Sequence, residues 1–281
     1  MSTEIDKRKA DVSKGFVWKE NGEVTFLACE PLERAGFVNA FSSRHGGVSP
    51  LPENSLNLSL REDKKENVEE NRRRFFSATN LSSYELMTAH QIHSEKGVLV
   101  SSPADVKGPE PDCDSLVASL ERVLLGIQTA DCLPVLIGDP KKGTMAAIHA
   151  GWRGTMARIT ERTVTELMRS SGTKPENCWV AMGPSACGDC YEVGADVVQT
   201  FRTQFPESIS FFKDIKENGK AFLNVQAANF RQLLSVGVPE TQIFASSFCT
   251  IHDNDLFFSH RVESKGGAVP VGRQLSVIGR K

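Results

Sequence analysis

The segment TADCLPVLIGDPKKGTMAAIHAGWRGT at 129–155 constrains this chain more than any other: two apolar strand-like runs meet at a Pro-Lys-Lys-Gly turn and read as a β-hairpin. If the turn centres on residues 139–142, Cys132 and His149 are equidistant from its centre and face each other. Directly opposed residues of an antiparallel pair carry Cβ atoms about 4.5–5.5 Å apart on one face of the sheet. One cation can then take a thiolate at about 2.3 Å and an imidazole nitrogen at about 2.0–2.1 Å from such a pair. Pro134 is able to bulge the first strand and shift this register. The competing reading, a buried small thiol beside a core histidine, fits an ordinary Cys and His. It loses ground because His149 opens the polar string His-Ala-Gly-Trp-Arg-Gly at the end of an apolar run, and sites are built at such strand ends.

A third donor is expected from TAHQIHSEKGV at 88–98, where His90 and His93 precede a short strand. Three residues apart means opposite faces of a strand but neighbouring positions on a helix, so on these grounds the two are equal candidates. Three protein donors leave a fourth position for solvent or substrate, the arrangement of catalytic zinc. Asp131 flanks the cysteine and reads either as a proton shuttle or ligand-orienting group, or as a backbone cap. Arg44, in Ser-Arg-His-Gly-Gly, lies beside glycines that let backbone approach a ligand closely; it reads as a phosphate or ribose contact or as a solvated loop arginine. Trp152 and Arg153 suit the mouth of the site as well as they suit a packed indole and a helix-start arginine. Cys187 and Cys190 form a lone Cys-x-x-Cys, read as structural because neither a second pair nor a thioredoxin-like pattern accompanies it. His45, His252 and His260 have no consistent partner spacing.

A formal net charge of −2 provides no basic field for nucleic acid or an anionic membrane, so the expected partner is a small molecule. The longest apolar runs are strand-sized, well short of the roughly 20 residues that span a bilayer. MSTEIDKRKADVSKGF mixes both charge signs and reads as neither signal peptide nor anchor. Seven cysteines, an odd count without a tight framework, point to a reducing compartment, and a cytoplasmic location is expected. Helices are expected near 63–76, 155–170, 194–201 and 225–234, with Gly172 as a stop, and strands near 98–101, 124–129, 135–138, 144–150 and 178–182. Strands outnumber crossover helices, which favours mixed sheets. The segments at 46–55 and 107–114 read as surface loops.

FSSRHGGVS at 41–49, SLNLS at 55–59, ENRRRF at 70–75, QIH at 91–93, TADCLPVL at 129–136, HAGWRGT at 149–155, GPSACGDCYEVG at 183–194 and FFSHR at 257–261 occur in this order. Together they resemble the YfiH family, also known as laccase-domain, multicopper polyphenol oxidase or peptidoglycan editing factor proteins, from about residue 37 to the end. The resemblance implies metal ligands at the His of Gln-x-His, the Cys of Ala-Asp-Cys and the His of His-Ala-Gly-Trp-Arg-Gly, here His93, Cys132 and His149. It leaves His90 as a neighbour and makes Arg44 and Asn57 similar to substrate-pocket positions. Val262 departs from the pattern, standing where the family carries a second arginine.

The implied fold is α+β, a single domain of mixed β-sheets in a four-layer α/β/β/α sandwich similar to cytotoxic necrotizing factor toxins. An N-terminal extension is expected at 1–20 and the catalytic domain at 21–281. The implied function is zinc-dependent phosphorolysis of adenosine, guanosine, inosine and methylthioadenosine, with adenosine deamination alongside, in a monomer or weak homo-oligomer. His93, Cys132, His149 and Asp131 would then be catalytic, with Arg44, Asn57 and Arg153 on the purine nucleoside and phosphate. Two alternatives stand beside it: a copper-dependent polyphenol oxidase, since a His₂Cys set also suits copper, and a hydrolase of peptidoglycan precursors with Cys132 as nucleophile and His149 as base. Six scattered histidines are too few for a multicopper cluster.

Overall fold

Two strands buried at every position, Leu133–Asp139 and Thr144–Ala150, set the architecture, because a strand apolar on both faces must be covered on both. The computed structural model describes residues 15–51, 53–264 and 269–281. In chain order its strands are β1 (Phe16–Asn21), β2 (Val24–Cys29), β3 (Phe37–Ser42), β4 (His45–Ser49), β5 (Glu85–Met87), β6 (Gly97–Val100), β7 (Ser115–Ala118), β8 (Val123–Thr129), β9 (Leu133–Asp139), β10 (Thr144–Ala150), β11 (Trp179–Met182), β12 (Glu192–Val193), β13 (Phe212–Lys213), β14 (Ala221–Leu223), β15 (Ile243–Ala245) and β16 (Gln274–Arg280). The α-helices are α1 (Glu30–Arg34), α2 (Lys65–Ala78), α3 (Pro103–Lys107), α4 (Trp152–Met156), α5 (Ile159–Ser171), α6 (Ala195–Gln204), α7 (Val225–Ser235) and α8 (His260–Glu263).

One sheet has the order β1-β2-β3-β16-β8-β5 and another β15-β11-β9-β10-β7-β6, with a small third sheet β12-β14-β13. The two large sheets are mixed, as the strand surplus suggested: β5–β8, β6–β7 and β11–β15 are parallel and the other pairs antiparallel. Side chains from the two large sheets, among them Phe37, Phe41, Leu125, Leu136, Met145 and Ile278, share one core. Alternate residues of β9 and β10 (Val135, Ile137, Ala146 and Ile148) point the other way, onto Ile159, Leu167, Phe201 and Leu233 of the helices. Val24, Phe26, Leu124 and Val277 of the first sheet pack with Phe75 and Ala78 of α2 in a third core. No helix among the described residues is long and apolar enough to cross a membrane, and the seven cysteines are all free.

The hairpin register differs from the expected one. Thr144 pairs with Asp139 and His149 with Pro134, so the loop is 140–143, closed by Gly143 N–H to Asp139 O (2.8 Å) with Gly143 at φ +64°. Continued past the strand end, this register sets Cys132 opposite Gly151, making His149 its diagonal neighbour. The shift is an even number of residues, so both side chains keep the face that points between the sheets; an odd slip would have sent them to opposite faces.

Other corrections are local. The helix expected over 155–170 is broken: Arg158 sits at φ +62° between α4 and α5, its guanidinium 4.1 Å from the Phe205 ring centre. Gly172 caps α5 at φ +66°, as expected. The segment at 46–55 contributes most of β4, and 107–114 ends in the fully buried Asp114. The first sheet already begins at Phe16, inside the stretch expected as an extension, while residues 1–14 of that stretch lie outside the described residues.

Candidate metal centre

The site lies at the end of the core between the sheets, where β8 ends, β9 begins, β10 ends and β7 begins. His149, the last inward-facing residue of β10, is buried, and its Nδ1 lies 2.8 Å from Asp114 Oδ1. With the proton assigned to Nδ1, the ring donates to that carboxylate and leaves Nε2 as the lone-pair donor, as carboxylate–histidine pairs do at metal sites.

Asp114 also builds the loop that carries His93. Its Oδ1 accepts from His93 N–H (3.0 Å), and its Oδ2 accepts from Ser94 N–H (2.6 Å) and Ser94 Oγ–H (2.8 Å). Its backbone carbonyl takes the His149 N–H at 2.7 Å. From the other side, the Gln91 carboxamide pairs with the Gln128 main chain like an added strand: Nε2 donates to its carbonyl (2.7 Å) and Oε1 accepts its amide (2.8 Å). Between these clamps His93 is held at φ +59°, a region few non-glycine residues occupy and one that gathers at functional sites when the surroundings enforce it.

His93, Cys132 and His149 thereby converge, their donor atoms all within 4.8 Å of one another. Cys132 Sγ is 3.9 Å from His93 Nε2, and the two imidazole rings meet edge to face with centres 4.8 Å apart. A tetrahedral ion with bonds of the usual length separates its ligands by roughly 3.5 Å, so small side-chain movements close the set. The donors fit a metal in chemistry as well as in spacing. Burial by itself would raise the Cys132 thiol, but the adjoining His149 and His93 rings pull it down to about 6. Burial would lower His149, yet the Cys132 thiolate and Asp114 push it up to about 9, so an ion binding here would displace the proton from Nε2. Asp114, which burial would raise, is held near 2 by His149 and Ser94.

The glycines of His-Ala-Gly-Trp-Arg-Gly admit this convergence. A Cβ on Gly151 would stand 3.1 Å from Cys132 Sγ and 3.1 Å from His93 Cδ2, and one on Gly154 2.8 Å from the Ser94 carbonyl oxygen. Gly151→Ala is therefore expected to push the sulfur and the His93 ring apart and to weaken metal binding at least about tenfold, roughly 1.4 kcal/mol. Titration of the variant with zinc against a chromophoric chelator checks this; unchanged affinity would show that the three donors do not share an ion.

The donors open onto a cavity of about 440 Å³ walled by Arg61, Arg153, Arg261 and Arg273, with Trp152, Tyr191 and His260. The Arg153 guanidinium lies 4.3 Å from the Trp152 ring centre and that of Arg261 4.9 Å from the Tyr191 ring centre, while Arg61 donates to the Gln91 carbonyl at 2.8 Å. Four guanidinium groups around one cavity are a lining with the chemistry to take an anion.

Among the residues expected from the sequence, His93, Cys132, His149, Asp131 and Arg153 line this cavity. The Asp131 carboxylate accepts from Thr250 Oγ–H (2.7 Å), Ser259 Oγ–H (2.7 Å) and Arg261 N–H (2.6 Å), and so ties the start of α8 to the cysteine loop. His90 instead meets Asp112 on the surface at 2.8 Å. Arg44 and Asn57 do not line the cavity, and each reaches it through a neighbour. Arg44 is buried, ion-paired with Glu263 at 2.9 Å and stacked on Phe258, behind α8. Asn57 Oδ1 accepts the Arg273 N–H at 2.9 Å. Arg44 of FSSRHGGVS and Asn57 of SLNLS thus support the arginine wall rather than form it. Because breaking a buried pair strands a charge, Arg44→Ala is expected to cost about 3–5 kcal/mol of stability, read by denaturant unfolding. The Arg153→Ala variant, at the cavity mouth, is expected to leave unfolding unchanged by comparison.

The sequence reading missed Arg61, Arg261, Arg273, Tyr191, Gln128 and Asp114. Asp114 had one usable signal, an acidic residue immediately before a strand, and two ligand histidines still lacking an orienting carboxylate.

Residues 38–281 match the family model described as "Multi-copper polyphenol oxidoreductase laccase". The chain is 37% identical over 253 residues to a purine nucleoside phosphorylase of Deinococcus radiodurans, covering 89% of this chain and 92% of that protein. It is 38% identical over 148 residues to adenosine deaminase RL5 of an unknown prokaryotic organism, covering 53% of this chain and 56% of that one. Among solved structures it is similar to YlmD from Geobacillus stearothermophilus, with a TM-score of 0.85, 31% identity, and coverage of 94% of this chain and 98% of that chain.

Proposed function

This chain belongs to the multi-copper polyphenol oxidoreductase laccase family, and on that premise we propose that it is a zinc-dependent enzyme that cleaves purine nucleosides with phosphate and deaminates adenosine in the same cavity. The observation that carries the reading is the meeting, in one cavity, of an open two-imidazole, one-thiolate donor set with four arginines. The names of the two relatives, phosphorylase and deaminase, agree with it. His93, Cys132 and His149 would hold the zinc, which when bound would supply Lewis-acid polarisation in this cavity. Arg153, Arg261 and Arg273 hold phosphate beside the ribose, and the Trp152 and Tyr191 rings flank the base. An oxygen of hydrogen phosphate forms a bond to the ribose carbon while the bond from that carbon to the purine nitrogen breaks; the electron pair leaves with the base, and the proton that the phosphate gives up passes through solvent to the base. Asp131 serves as a positioning residue, holding Arg261 and the cysteine loop in place. Adenosine, guanosine, inosine and methylthioadenosine are the proposed substrates. The alternation of helices and sheets around three cores supports a four-layer α/β/β/α sandwich as part of the same reading.

The test is release of free base from these nucleosides by zinc-loaded protein, followed chromatographically with and without phosphate. Phosphate-dependent base is expected with ribose 1-phosphate, or with methylthioribose 1-phosphate from methylthioadenosine; their absence for every nucleoside overturns phosphorolysis, and failure to form inosine from adenosine overturns deamination.

One observation favours a second reading. Cys132, His149 and Asp114 also form a thiolate, an imidazole and an orienting carboxylate in the order of a cysteine-hydrolase triad. What that reading leaves without a task is His93, whose ring nitrogen faces the sulfur. Activity that survives complete metal removal would favour the triad. A copper oxidase remains compatible with the donor set alone, and copper rather than zinc in protein purified without added metal would favour it.

A further inference from the structure

Away from the cavity donors, the described residues bring together a second group of metal-ligand side chains: Cys187, Cys190 and Cys249, with sulfur atoms all within 4.8 Å of one another. We propose that these three thiolates bind a second, structural zinc ion or its thiophilic equivalent copper(I), pinning the loop of Cys187 and Cys190 to the turn that carries Cys249.

Three features prepare the group for a cation. Cys187-x-x-Cys190 is folded into a tight turn, with the N–H groups of Cys190 and Tyr191 both donating to the Cys187 carbonyl (3.1 and 3.0 Å), so that both sulfurs come to one side. Cys249 Sγ accepts the Cys187 N–H at 3.3 Å, and an amide donor of this kind stabilises a sulfur that carries negative charge. The Cys-x-x-His spacing of Cys249 and His252 repeats that of Cys187 and Cys190; a water, or the exposed His252 ring after rotation, completes four-coordination. Three sulfurs also cannot be satisfied by one disulfide, which would leave the third thiol unpaired beside it.

The location gives the ion a consequence. Ala186, next to Cys187, donates its N–H to the Asp131 carbonyl (2.9 Å), and Thr250, next to Cys249, donates its hydroxyl to the Asp131 carboxylate (2.7 Å). Tyr191, next to Cys190, lines the cavity. An ion joining the three cysteines therefore braces both segments that hold the residue preceding Cys132. Lys213, paired with Asp189 inside the Cys-x-x-Cys turn, lies beside the extra negative charge that three thiolates and a divalent ion leave.

The inference is independent of the reaction in the cavity, and its test reads metal rather than turnover. Full-length protein, purified under reductant without chelator, is analysed for zinc and copper per chain. Two equivalents are expected in the parent, one in Cys132→Ser, one in Cys190→Ser and none in the double variant. A parent with a single equivalent that Cys132→Ser abolishes overturns the proposal, as does a Cys187–Cys190 disulfide found by mass analysis of the same protein. Should Cys190→Ser fail to fold, Cys132→Ser loaded with cobalt(II) decides: intense near-ultraviolet thiolate-to-cobalt absorption is expected, and its absence overturns the site.

Discussion

Changing His93 to alanine is expected to lower kcat/KM for phosphate-dependent base release about a thousandfold, as large a loss as Cys132→Ser. A metal's contribution of several kcal/mol to the reacting centre corresponds to that factor, since each 1.36 kcal/mol is tenfold in rate. Both variants remove one of three donors, so bound metal at this centre should fall with activity. His93 is the informative position because its ring is exposed to the cavity and takes no part in the core, so its truncation leaves folding nearly untouched. It also separates the two readings of the site. A Cys132–His149–Asp114 triad has no need of His93, and a His93→Ala enzyme that is metal-free and fully active would sink the metal-dependent one.

Asp114→Asn is the second large effect, expected to weaken zinc binding about 10–100-fold. An asparagine has one acceptor oxygen where the carboxylate has two. If the oxygen faces His149, the amide nitrogen faces Ser94, whose N–H and hydroxyl lose their acceptor and release the loop of His93. If the oxygen faces Ser94, the amide nitrogen donates to His149 Nδ1 and moves the ring proton to Nε2, the atom that should bind metal. Either orientation damages one ligand. Zinc affinity by chelator competition, with imidazole nitrogen NMR to read the His149 tautomer, checks both branches; affinity within twofold of the parent would show that the carboxylate does not set the ligands.

The sequence was informative where short-range periodicity and local chemistry coincide. Strands β6, β8, β9, β10 and β11 and helices α2, α6 and α7 were legible because their apolar residues recur at the right spacing within a few residues. Strands β1–β4 and the closing β16 were not, although β3 and β16 lie in the middle of their sheet. Its place depends on pairing with β3 and β8, more than a hundred residues away along the chain, and no local pattern encodes a partner that remote. The break between α4 and α5 was hidden for a related reason. Arg158 has no local propensity for a left-handed backbone, and only the packing of α4 and the ring of Phe205 select it.

By itself, the order of residues put Cys132 and His149 forward as a facing pair and left His90 and His93 as equal candidates for a third donor. Cys132 and His149 flank one hairpin, an arrangement that survives an even shift of register, and the choice of His93 over His90 came from resemblance to a family. Tertiary structure alone decided what else surrounds them: Asp114 behind His93 and His149, Arg61, Arg261 and Arg273 gathered from distant segments beside Arg153, and Cys249 brought to Cys187 and Cys190. Contacts within a hairpin follow from chain geometry over some twenty residues, whereas a buried carboxylate, a ring of arginines or a third thiol is placed only when the two sheets close on their common core.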